Sequence, residues 1–172
     1  MIIVTMGGVV LGLFILIRWA IEWWPGVKVL RTGWQHAAAS AAPFIFSWCF
    51  GALCVMTVGG VIGMVADVTV WGGSWAGDMA GVVGVGAEAG QAAGRGGVQA
   101  LTNGGKWMVL LIFAVWLGVR SRKGTDTSAM HKGLLSGTLL GLSGSVLGKA
   151  AVPLASITNT AAAWVFTGGQ FV

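Results

Sequence analysis

The sequence predicts an all-α, polytopic integral membrane protein of about four transmembrane helices plus one small-residue amphipathic helix. Three observations carry that prediction. Of 172 residues, 56% are hydrophobic and 9% charged, whereas a soluble domain has roughly 25% charged residues. Apolar runs of near-span length alternate with short basic segments. Thirty glycines recur at four-residue steps within several of these runs, and on a helix such a row is a bare stripe along which a second backbone can approach closely in lipid. Disorder is the other common home of glycine, but it goes with low hydrophobicity. One membrane domain over residues 1–172 is expected, too small to hold a separate enzyme domain.

Residues 2–17 (IIVTMGGVVLGLFILI) are uncharged and apolar, about 24 Å long as a helix against a hydrocarbon core of ~30 Å. Positive charge follows this run and does not precede it, so it reads as a retained first span with its N-terminus outside the cytoplasm, not as a secretory signal. Trp19, Trp23 and Trp24 would anchor it at headgroup depth. Residues 18–42 read as a basic cytoplasmic loop in which Arg18, Lys28 and Arg31 set the topology. Residues 43–66 read as the clearest span, with Pro43 in its first turn, Asp67 just beyond its end, and Gly59 and Gly63 as a glycine step.

The segment 78–100 reads as an amphipathic helix. Glu88, Gln91, Arg95 and Gln99 fall three or four apart and draw a polar stripe beside the row Gly86, Gly90, Gly94. A third span covers 101–119, with Lys106 snorkelling outward. Residues 120–132 (RSRKGTDTSAMHK) form the most basic loop, and Arg120, Arg122, Lys123 and Lys132 put it in the cytoplasm. The fourth span, 133–154, holds the longest small-residue row: Gly133, Gly137, Gly141 and Ser145. The apolar tail from Ala155 offers Trp164 and Phe166 as interfacial anchors. Both basic loops then lie on one side of the membrane and the acidic Asp67, Asp78 and Glu88 on the other. Both termini are expected outside, in a bacterial inner membrane.

The glycine rows predict close helix packing, either within one copy or between copies of a homo-oligomer. The polar stripe either lines a water-filled passage, because polar groups at membrane depth need water or partners, or lies on the outer surface. Lys149, beyond the glycine row, either faces a pore or snorkels. Enzymatic chemistry, cofactors and metals are not expected, since HExxH, GxSxG, CxxC and phosphate-loop patterns are all missing from the sequence. His36 and His131 fall in the basic loops, and Cys49 and Cys54 lie within an apolar run as inert thiols.

The stretch from about 79 to 166, two small-residue helices joined by the tight basic loop, is broadly similar to the subunits of conjugative pili and type IV secretion channels. That resemblance implies helices packed into a tube, with the basic loop facing transported DNA. The functional expectation is a structural subunit of a homo-oligomeric membrane pore or conduit of the DNA-transfer or secretion type, with nucleic acid as cargo only. A phage holin-like permeabilising protein is one alternative. Another is an accessory subunit or small carrier in a larger membrane complex. The expected partners are the lipid bilayer, further copies of the chain and other membrane-complex subunits.

Overall fold

Two kinds of local signal set the helix ends: side chains that bond back to the backbone, and glycines that reverse it. The computed structural model describes residues 4–28, 34–57, 59–93, 101–143 and 146–168; for 25–28, 34–37, 146, 147 and 167 the backbone alone is described. These residues form six helices and no strand: α1 Met6–Lys28, α2 Trp34–Cys54, α3 Gly60–Val85, α4 Asn103–Arg120, α5 Thr127–Gly141 and α6 Val146–Thr167.

Six helices replace the four expected spans because two apolar runs break. The run 43–66 is divided between α2 and α3. Thr57 Oγ1 donates to the Cys54 carbonyl, and Gly59 and Gly60, at φ +83° and +76°, reverse the chain in a conformation that only glycine adopts without strain. The run 133–154 breaks at an equivalent place, where Ser143 Oγ donates to the Leu140 carbonyl at 2.7 Å. Hydropathy reports both runs as continuous, but such short side-chain-to-backbone bonds compete with the helix ladder.

Two other expectations also need correcting. The basic loop 18–42 is largely helical, because α1 continues through Lys28 and α2 already begins at Trp34; Pro43 therefore sits inside α2. Among the described residues, the amphipathic helix expected over 78–100 does not continue past Val85. Residues 78–85 are the last turns of α3, closed by Gly86 at φ 68°. Residues 86–93 then return to the start of α1, where Met6 N donates to the Gln91 carbonyl (2.8 Å) and Ala93 N to the Val4 carbonyl (3.0 Å).

The packing also reveals an internal duplication. Helices α1–α3 and α4–α6 form two equivalent three-helix repeats, with α2 and α5 against each other at the centre. Helix α1 packs on α3 as α4 packs on α6; α1 reaches α5 as α4 reaches α2; α3 touches α5 as α6 touches α2. The correspondence extends to single hydrogen bonds. Thr5 and Thr102 each accept from the N–H three residues on, Gly8 at 3.2 Å and Gly105 at 3.1 Å. Their own N–H groups donate to the third helix of their repeat, to Ser74 Oγ (3.3 Å) and Asn159 Oδ1 (3.0 Å). Gly7 and Gly8 sit against Gly77 and Ser74, and Gly104 and Gly105 against Ala162 and Asn159.

Large apolar residues such as Phe50, Met130, Leu139 and Leu140 are buried around the central helices, but on α3 and α6 small residues face inward and large apolar ones outward. On α3 the buried positions are Gly63, Ala66, Val70, Ser74 and Gly77, whereas Met64, Val68, Trp71, Trp75 and Met79 are exposed. On α6, Ala151, Ala155, Thr158 and Ala162 are buried, and Ile157, Trp164, Val165 and Phe166 are exposed. A water-soluble surface helix shows the opposite arrangement. Among the described helices, one segment of α1, Met6–Trp24, is long and apolar enough by itself to cross a membrane. Its 19 residues reach about 28 Å at ~1.5 Å per residue.

Candidate functional site: a glycine seam, a basic end and an acid-lined cavity

The seam between α2 and α5 fixes the centre of the molecule. Helices α2 and α5 run parallel and in step, with Gly133 on the Phe44 carbonyl, Gly137 on the Trp48 carbonyl and Gly141 on Ala52. The contact is reciprocal, since Gly51 of α2 lies on the Leu134 carbonyl of α5. At Gly133, Gly137 and Gly51 an added Cβ would overlap the facing backbone; at Gly141 the nearest atoms would stand 3.0–3.2 Å away. The row left open by the sequence between packing within a copy and packing between copies is therefore covered by α2 of the same chain. Ser145 lies outside the described residues.

Two buried hydrogen bonds flank the seam. Ser136 Oγ donates to the Gly12 carbonyl of α1 at 3.1 Å, and Trp116 Nε1 of α4 donates to Ser47 Oγ of α2 at 2.9 Å. Phe50, Phe113 and Trp116 stack around the second, with ring centroids 5.9–6.4 Å apart. The described glycines of the second expected row do not pack. Gly86 and Gly90 have φ of 68° and 77° and no neighbour against an added Cβ, so they turn the chain and support no helix contact. Gly94 lies outside the described residues.

At one end of the molecule the basic residues converge. Glu22 of α1 accepts from Arg18 at 3.0 Å and from Lys132 of α5. Arg120 lies over the Trp116 ring, 5.6 Å from its centroid. Trp19 stacks on Phe44 and Trp23, and Trp23 Nε1 donates to Ser40 Oγ at 3.0 Å. Arg122 and Lys123 are exposed between α4 and α5, where Asp126 caps α5 by accepting from Ala129 N at 3.0 Å. Exposed pairs of this kind are screened by solvent, so the cluster matters for charge placement more than for stability. Lys28 ends α1 with its side chain undescribed, and Arg31 lies outside the described residues.

The opposite end carries the carboxylates Asp78 and Glu88, with Lys106 near the start of α4. Glu88 and Gln91, expected on a helical stripe, sit exposed in the non-helical return and bond to each other at 3.2 Å; Arg95 and Gln99 lie outside the described residues. Asp78 Oδ2 accepts from Gly90 N at 3.1 Å. Between α1 and α3 opens a cavity of about 750 Å³, lined mainly by Met6, Val10, Leu11, Phe14 and Val85, with Asp78 and Glu88 as its charged members. Lys149 and Asp67 are both exposed, on α6 and α3. Cys49 and Cys54 are free thiols, half-buried and buried. Among the described residues no three His, Cys, Asp or Glu side chains converge as a metal site would require.

The duplication and the cavity escaped the sequence reading. The signal for the first was present: Thr-Met-Gly-Gly at 5–8 and Thr-Asn-Gly-Gly at 102–105, with Trp19 and Trp116 equally far beyond each. Comparison with known proteins finds no matching family model, no matching curated protein and no matching solved structure.

Proposed function

We propose that the chain is a polytopic integral membrane protein and a structural subunit of a membrane conduit of the DNA-transfer or secretion type. The observation that carries the membrane part is the inverted distribution of side-chain size. Glycine, alanine and serine line the helix contacts, while Trp71 and Trp75 stand 65% and 61% exposed, a surface suited to acyl chains and not to water. Basic residues gather at one end and Asp78 and Glu88 at the other, the asymmetry that orients inner-membrane proteins with their basic loops in the cytoplasm. On this reading both termini lie outside. The α2–α5 seam closes the middle of one copy, so a passage would run between copies.

A second reading, an accessory subunit of a larger membrane complex, is favoured by that same seam. The duplication supplies within one chain the paired packing that two copies would otherwise provide. Particle images of the protein extracted with its native lipids decide between the two. A closed ring or tube of copies supports the conduit; single copies at every concentration remove it in favour of the accessory role.

A further inference from the structure

We propose that the cavity between α1 and α3 seats one acyl chain of a phospholipid whose headgroup bears a primary ammonium, held by the carboxylates of Asp78 and Glu88. The proposal rests on the membrane reading given above.

Three observations support it. First, the volume of about 750 Å³ falls within the roughly 300–1,000 Å³ typical of ligand sites, and the walls are apolar, with Met6, Val10, Phe14 and Val85 exposed to whatever fills it. Second, its charged lining is of one sign. Asp78 accepts from the Gly90 N–H and Glu88 from Gln91 Nε2, both neutral donors, which leaves carboxylate lone pairs for an ammonium. An anionic headgroup would meet like charge there.

Third, the duplication separates what the fold needs from what it does not. The second repeat builds the same seat from Thr102, Gly104 and Gly105 against Asn159 and Ala162. Gly77 corresponds to Ala162, so the place of Asp78 is taken there by Ala163. The seat thus forms in one repeat without any carboxylate; in the other, Asp78 holds the Gly90 N–H through one oxygen and keeps further lone pairs for a ligand.

The test is native mass spectrometry of the full chain, titrated with phosphatidylethanolamine, phosphatidylcholine and phosphatidylglycerol of identical acyl chains. One ethanolamine lipid should be retained with about tenfold preference over the other two, the factor a single favourable charged hydrogen bond supplies. The double variant Asp78→Asn with Glu88→Gln should bring the three within about twofold. If that variant fails to fold, Glu88→Gln alone, at an exposed position, should lower the preference at least about threefold. Ala80→Phe, which fills the cavity, should reduce binding of all three lipids. Equal retention of the three lipids by the unaltered chain, or a preference that survives both carboxylate changes, overturns the proposal. Release of the chain from membranes by alkaline carbonate would instead remove the membrane reading itself.

Discussion

Gly137 and Gly86 look alike in the sequence and do different things. Gly137 lies on the Trp48 carbonyl, so the close approach needs its missing side chain; Gly86 needs its φ of 68° and has open space where a side chain would stand. Gly137→Leu should therefore cost about 3 kcal/mol or more, as overpacking does, while Gly86→Ala costs about 1 kcal/mol through backbone strain alone. Thermal unfolding in detergent should rank them in that order. Because the facing helix belongs to the same chain, Gly137→Leu should leave the assembly mass measured by light scattering unchanged. The Trp116–Ser47 bond offers a second residue-level test. A double-mutant cycle with Trp116→Phe and Ser47→Ala should give a coupling of about 0.6 kcal/mol, the usual value for polar pairs between membrane helices.

The helices themselves are bounded by features shorter than any hydropathy window. Thr5 and Thr102 occupy the same position at the head of α1 and α4, each accepting one amide and donating its own N–H to a third helix. If the repeats are equivalent in energy as well as geometry, Thr5→Ala and Thr102→Ala should each lower stability by about 1 kcal/mol, the typical value of an N-cap. Denaturation of the two single variants should agree within about 0.5 kcal/mol, and the double variant should be close to additive, as distant sites are. A large loss at one threonine and none at the other would show that the two seats differ in strength.

For the molecule as a whole, the arrangement of charge and apolar surface makes the strongest demands. Thr102, Asn103 and Lys106 open α4 and Arg120 ends it, and the Glu22–Lys132 pair ties α1 to the head of α5. In intact cells or oriented vesicles, Lys123→Cys should be protected from a membrane-impermeant thiol reagent applied outside, whereas Glu88→Cys should be labelled. Cys49→Ala and Cys54→Ala in the background remove the native thiols. Labelling of both positions from one side would contradict the orientation in which the basic end is cytoplasmic.

The all-helical class, the apolar surface and the basic segments were legible in the chain because they follow from composition and spacing, which every residue carries with it. That small residues would mediate close approach was legible as well, from the four-residue step of Gly133, Gly137 and Gly141. Which partner they meet was not, since a stripe of hydrogens looks the same to a helix of its own chain as to that of another. The breaks after Cys54 and Gly141 rest on side-chain bonds only three residues long, which hydropathy passes over. The return of 86–93 to α1 and the pairing of one repeat with the other depend on bonds between residues far apart in sequence. Only the folded chain brings those atoms within reach of each other, and so only the tertiary structure decided them.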